Sequence, residues 1–275
     1  MGTTRKLDPS AARTLAEVTP ELRAQLNSGA IASRTLVELL TVEFHVLLAA
    51  VVPRAPQAAI DELKAAGERI IKKKGTPPTP RVGIVQRMEI GGALLARHAA
   101  TRLTSLSKHP SDTVRGWCCY ALTRRDADPL PLAEQLALIR SFADDPHSGV
   151  REWAWMAVRP AIAADLKPAI KILTPWTASR SANIRRFATE STRPRGVWCA
   201  HIDALKSRPA LGEPLLHPLR ADPTKYVQDS VSNWLNDAAK HDEKWARALT
   251  RRWLADSPSP ATNRICTRAL RSVTR

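Results

Sequence analysis

The sequence predicts an all-α fold, a right-handed solenoid built from pairs of helices. Three observations point to it. Four segments open alike at a period of about 35–45 residues, the range of helical repeats. They are VRGWCCYALT from Val114, VREWAWMAVRP from Val150, IRRFATESTRP from Ile184 and VQDSVSNWLND from Val227. Each begins with Val or Ile followed by Arg or Gln, and three of the four carry an aromatic three places on. A turn rich in Pro, Ser or Asp precedes each: HPSDT, DPHSG, SRSAN and DPTKY. Finally, the chain shows no alternation of strands and helices, no Gly-rich phosphate loop and no G-x-S-x-G.

Helices of this period stack as HEAT-like repeats, each burying its apolar face against its neighbours. Residues 1–80 read as an N-terminal helical cap and 81–275 as the repeat region, in one continuous domain. Thr19-Pro20-Glu21 is a helix start, and Ile31 to Val51 carries apolar residues at helical spacing until Pro53 and Pro56 end it. Gln57 to Lys74 is the next helix. Its Lys72-Lys73-Lys74-Gly75 end is ordinary C-terminal capping chemistry, although a DNA strand could also meet it. TPPTPRVG (76–83) is the best internal boundary. Ile84 to Leu106 follows, with Gly91-Gly92 as a close packing point. Partner helices are expected at Leu130–Ala143, Ala164–Leu173, Gly196–Leu205 and Asp242–Leu254. A weaker fifth copy opens near Thr262, with Arg264 in the place of Gln228.

Of 275 residues, 44% are hydrophobic, so the core is ample. Lys and Arg number 42 against 26 Asp and Glu, a net charge of +16. Such an excess favours a polyanionic partner, because each phosphate contact releases counterions. A generally Arg-rich proteome would give the same number. A membrane surface fits less well, since no long cationic amphipathic segment stands out. No run of about 18 apolar residues occurs, and MGTTRKLDPS lacks the apolar centre of a secretion signal. Gly2 is followed by Lys6 where myristoylation needs Ser or Thr. The expectation is a cytoplasmic, monomeric, nucleoid-associated protein of bacterial type. Cys118, Cys119, Cys199 and Cys266 have no zinc spacing and read as reduced helix or core residues.

On a helical wheel, Val150, Ala154, Ala157 and Val158 form one apolar stripe. Glu152, Trp155 and Arg159 lie opposite. A Trp on a polar face has two readings, packing under a neighbouring helix or contacting a ligand. Setting each opening Val or Ile in register places Trp117, Trp153, Phe187 and Trp234 near the apolar phase, as core. The opposite phase collects Glu152, Trp155 and Arg159, then Arg186, Glu190 and Arg193, then Asp229, Asn233 and Asn236. Three carboxylates, Glu152, Glu190 and Asp229, thus face one groove among arginines. For Glu190 a plain ion pair with Arg186 or Arg193 is the competing reading.

Carboxylates repel phosphate, so a basic groove that carries them asks for a reason. Cleavage of an N-glycosidic bond supplies one. It builds oxocarbenium character on the sugar, which a carboxylate stabilises while positioning water. An aromatic beside it attracts a cationic base. An alkylated purine already carries positive charge and leaves without protonation.

DDPHSGVREWAWMAVRP, NIRRFATESTRPRGVWCAHI and DPTKYVQDSVSNWLND also resemble the AlkC branch of the HEAT-like-repeat DNA glycosylases, related to AlkD. The likeness is strong over about residues 105–255 and weak over the N-terminal hundred. It implies excision of N3-alkylated bases, chiefly 3-methyladenine, from double-stranded DNA without the usual base-flipping pocket. It implies no metal or organic cofactor. Carried over by position, Glu152, Glu190 and Asp229 would be catalytic, and Trp155, Arg193 and Trp198 would meet the lesion. Arg151, Arg159, Arg186 and Arg195 would contact the DNA backbone. Trp198 is expected at the start of a helix. Many AlkC-like proteins carry a further immunoglobulin-like domain after the repeats, and this chain ends at Arg275 without room for one. Two other functions remain to be separated from the glycosylase: a non-catalytic HEAT scaffold binding nucleic-acid structure, and a protein-binding solenoid.

Overall fold

The computed structural model describes residues 11–70, 79–124 and 130–273. Among them are sixteen α-helices, a few short 3-10 turns and one pair of two-residue strands. The chain forms two compact units, one from Thr3 to Pro129 and one containing Leu130 to Arg275.

The first unit contains α1 (Pro20–Ser28), α2 (Leu36–Thr41), α3 (Phe44–Val51), α4 (Gln57–Gly67), β1 (Arg69–Ile70), β2 (Thr79–Pro80), α5 (Ile84–His98), α6 (Leu103–Leu106) and α7 (Asp112–Thr123). Thr19 caps α1 by accepting from the Leu22 N–H, as its position before Pro20 predicts, and Gly29 ends the helix at φ +76°. The helix expected over Ile31–Val51 is two. Thr35 starts α2, and Val42 and Glu43 are extended between α2 and α3, where the Glu43 N–H donates to Asn27 Oδ1. The helix expected to reach Lys74 stops at Gly67, and Arg69–Ile70 pairs with Thr79–Pro80 instead. Lys72 to Gly75 and residues 76–78 lie outside the described residues. The proline-rich stretch is not where the compact units divide, because α4 and α5 pack on each other inside the first unit.

Gly91 and Gly92 let α5 and α7 approach closely. A Cβ on Gly91 would overlap the Trp117 indole, and one on Gly92 would meet Tyr120 Cβ and lie 2.9 Å from the Trp117 carbonyl oxygen. Gly92→Ala is expected to destabilise the protein by about 1–3 kcal/mol through overpacking. The measurement is a lowered urea midpoint at unchanged m-value. An unchanged midpoint would contradict this helix contact.

The second unit contains α8 (Leu132–Ala143), α9 (Ser148–Ala164), α10 (Leu166–Leu173), α11 (Ala182–Glu190), α12 (Asp203–Ser207), α13 (Glu213–Leu216), α14 (Lys225–Ala239), α15 (Glu243–Asp256) and α16 (Pro260–Ala269). Here the helical repeats stack: α9 meets α11, α11 meets α14, and α14 meets α16. α9 continues through Pro160 to Ala164. Trp153, Phe187 and Trp234 are buried with Val150, Ile184 and Val227, as core; in the first unit Trp117 and Val114 are buried alike. The four cysteines are free thiols, and Cys118, Cys119 and Cys266 are buried.

The residue after each opening Val or Ile braces the turn before its helix. Arg115 Nη1 donates to the carbonyls of His109 and Pro110, at 2.6 and 2.8 Å. Arg151 Nη1 donates to Asp145 and Pro146, at 2.6 and 3.1 Å. Arg185 Nη1 donates to Ser179 and Arg180, at 2.9 and 3.1 Å. Gln228 Nε2 donates to the Asp222 carbonyl at 2.7 Å. In each turn a side chain also accepts a backbone N–H two residues on: His109 from Ser111, His147 from Gly149, Ser179 from Ser181, Asp222 from Thr224. The repeated Arg or Gln and the repeated turn are thus two halves of one local structure.

Candidate functional site

The site lies in the second unit, where α9, α11 and α14 lie in sequence. Arg186 of α11 places Nη2 2.7 Å from Glu152 Oε1 of α9 and 3.5 Å from Glu190 Oε2 of its own helix. Just past the end of α11, Arg193 Nη1 donates to Glu190 Oε1 at 2.9 Å, and its Nη2 lies 2.9 Å from Asp237 Oδ2 on α14. Carboxylates and guanidinia therefore alternate across three helices: Glu152, Arg186, Glu190, Arg193, Asp237. Ser230 Oγ donates to Glu190 Oε2 at 2.7 Å and bonds the Thr189 hydroxyl at 2.8 Å. The row is largely buried, with the Glu190 side chain 7% exposed, and it opens at Glu152, whose side chain is 35% exposed.

Burial raises the Glu190 pKa, but Arg186 and Arg193, with the Ser230 hydrogen bond, outweigh it and hold the carboxyl below the ordinary glutamate value. Burial dominates at Asp237 and holds its carboxyl above the ordinary value despite Arg193. Glu190 is thus the firmly ionised member, and Asp237 takes up a proton more readily. The Tyr226 ring, on α14, has Arg186 over it at 4.5 Å and Arg151 at 5.3 Å.

Several expected roles change. Trp155 is 5% exposed, and its Nε1 donates to Glu152 Oε2 at 2.8 Å, so the indole packs and orients the carboxylate rather than forming an open wall. Arg151 braces its turn and donates from Nε to Tyr226 Oη at 3.2 Å, and Arg186 is the buried ion-pair partner just described. Arg159 is 3% exposed and donates only to backbone carbonyls, those of Ser191, Arg193 and Ala200. None of these three offers a free guanidinium to phosphate. Arg195 does: it is half-buried, and among the described residues nothing hydrogen-bonds its guanidinium.

Asp229 is not in the row. It pairs with Arg264 at 2.7 Å and Arg268 at 3.3 Å, because α16 packs along that face of α14. Asn233 accepts from Arg271, and Asn236 donates to the Ala269 carbonyl, for the same reason. Arg264 also donates to Gln228 Oε1 rather than bracing a turn of its own. The carboxylate that joins Glu152 and Glu190 is Asp237, eight residues, or just over two turns, along α14. It closes the VQDSVSNWLND string, and that spacing was the signal available for it.

No helix starts at Trp198. The segment between α11 and α12 is irregular, and Trp198 takes a left-handed φ of 87°. Trp198 is 54% exposed beside Val197 at 60%. Arg159 fixes the flanks of this segment, and the Ile202 N–H donates to the Pro194 carbonyl. The segment that carries this exposed aromatic is thus tied by Arg159 to the carbonyl of Arg193, a member of the charge row. Such a row can stabilise a cationic centre brought to it and orient a water; the aromatic can stack on a base.

A solved structure combines this helix arrangement with DNA: the Pseudomonas fluorescens alkylpurine DNA glycosylase AlkC, bound to DNA containing an abasic site analog. It superposes at a TM-score of 0.58, with 20% identity, over 95% of this chain and 65% of that one. The chain has the AlkC fold. It spans about two thirds of the length of that AlkC chain. The uncharacterized protein YhaZ of Bacillus subtilis (strain 168) is 37% identical over 102 residues, which are 37% of this chain and 29% of that protein. No family model matches the sequence. Among the described residues no helix is long and apolar enough to cross a membrane, and no group of His, Cys, Asp and Glu is arranged to hold a metal ion.

Proposed function

We propose that this chain is a monofunctional DNA glycosylase that hydrolyses the N-glycosidic bond of cationic N3-alkylated bases, of the 3-methyladenine type, in duplex DNA. The observation that carries the reading is the row from Glu152 to Asp237, with the exposed Trp198 on the segment that follows Arg193, in a fold shared with an alkylpurine DNA glycosylase. The C1′–N bond breaks with both electrons passing to the base, which leaves neutral. The sugar carries the positive charge until water adds at C1′ and releases a proton. Glu190, Glu152 and Asp237 stabilise that charge, and a carboxylate of this group orients the water. Trp198 stacks against the lesion or its sugar, and Arg195 meets a phosphate.

The test is release of 3-methyladenine from methylated duplex DNA by the purified chain, in single turnover with chelator present. No release at micromolar enzyme with DNA binding intact supports the other reading, a scaffold that binds DNA structure. One observation favours that alternative: every carboxylate of the row already has an ion-pair partner.

DNA affinity is expected to fall steeply with salt, log K against log salt having a slope of about −0.9 per phosphate contacted. Arg195→Ala is expected to make that slope shallower by about one. Arg151→Ala is expected to lower stability instead, because its guanidinium holds a turn. Filter binding across a salt series reads the first and a urea melt the second, and an unchanged slope for Arg195→Ala removes it from the backbone contacts.

A further inference from the structure

The first unit holds a cavity of about 480 Å³, within the range of small-ligand pockets. Arg87 of α5 lines it together with Phe44, Leu40 and Leu63. Arg87 is 6% exposed. Its Nε is buried without a hydrogen-bond partner, and among the described residues no carboxylate pairs with the guanidinium. The Phe44 ring lies 5.0 Å from its Cζ. Burial lowers its pKa, and no nearby negative charge opposes that effect. Arg159, also buried, directs Nε, Nη1 and Nη2 to carbonyls. A cation out of water without a counter-charge is costly, and a bound anion removes the cost.

Three further cations belong to the cavity lining: Arg23, Lys64 and Arg69. Its two carboxylates are already engaged: Glu43 with Asn27 and Arg23, and Glu68 with Arg81 at 2.8 Å. Apart from Thr41, His45 and Gly67, the other walls are apolar: Leu15, Leu40, Val42, Phe44, Leu63 and Pro80. A bare inorganic ion would leave them uncovered.

We propose that this cavity binds a small organic anion, a phosphate or carboxylate head on an apolar body. The head sits on the Arg87 guanidinium and the body packs against Phe44, Leu40 and Leu63. The binding is independent of glycosylase activity, since the cavity lies wholly among residues 15–87 and the catalytic candidates lie beyond residue 150.

The probe is phenyl phosphate, titrated into the full chain by calorimetry and thermal melting at constant ionic strength. Phenol and inorganic phosphate serve as comparisons. Phenyl phosphate is expected to bind saturably and to raise Tm with concentration. Phosphate should bind more weakly, and phenol should leave Tm unchanged. Arg87→Met is expected to abolish the shift. Should that variant fold poorly, Lys64→Glu changes only an exposed side chain and is expected to weaken phenyl phosphate about tenfold, which corresponds to about 1.4 kcal/mol. Absence of phenyl phosphate binding at millimolar concentration overturns the proposal. So does equal binding by wild type and both variants. Displacement of phenyl phosphate by undamaged duplex DNA would assign the cavity to the DNA track and overturn it as a small-molecule site.

Discussion

Glu190→Gln is expected to slow base release by about a hundred- to a thousandfold, the range for removing one preorganised electrostatic group from a reacting centre. Glu190 is the buried centre of the charge row, between two guanidinia and the Ser230 hydroxyl. The amide keeps the shape and loses the charge. Arg186 keeps Glu152 and Arg193 keeps Asp237, so stability should fall by about 1–3 kcal/mol rather than collapse. Single-turnover rates and urea melts on the same preparation separate the two effects. The control is Asp229→Asn, whose partners lie on α16; its release rate should match wild type. If Glu190→Gln releases base at the wild-type rate, the row is not the reacting site. The pH response carries a sign. A carboxyl held below its ordinary value of 4.5 contributes stability fully above that value and loses it as pH falls through the lowered one. Any acid limb of the rate set by Glu190 should therefore lie below 4.5.

Arg159→Met is expected to lower stability by about 3 kcal/mol, because it leaves the Ser191, Arg193 and Ala200 carbonyls without their donor. Methionine fills much of the volume, so the loss reads as hydrogen bonding rather than a cavity. The segment carrying Trp198 should loosen at the same time. Hydrogen exchange is expected to speed up over 191–202 while α14 stays protected. Base release should fall along with it, through Trp198 and Arg193 rather than through any contact of Arg159 with DNA. A variant with wild-type melting and exchange would show that Arg159 is not the clamp.

The repeat was legible because its physics is local. Val150 with Trp153, or Ile184 with Phe187, shows helical spacing in the bare string, and the following Arg marks the turn behind it. Gly91-Gly92 was legible as a close approach for the same reason. What could not be read is where a long side chain goes once neighbouring helices arrive. Arg159 and Arg186 look like surface cations on a wheel, yet one turns to carbonyls forty residues on and the other to Glu152. Asp229 and Asp237 are both acidic positions on α14, and only the docking of α16 decides that the first is paired away from the row. Trp198 follows Pro194 and Gly196, and no periodicity exists there to read.

The turn braces carry one more consequence, for the order in which the chain folds. Each links a side chain to a carbonyl only five or six residues back. Contacts of such short range close in well under a microsecond, about 10–100 ns for loops of roughly ten residues. A turn and the first coil of its helix can therefore form before any neighbouring repeat is present. Low contact order favours rapid folding, and stacked repeats allow nucleation at more than one place. Arg151 and Arg185 thus supply start points for assembly, and the long-range row from Glu152 to Asp237 forms only when those separately started pieces meet.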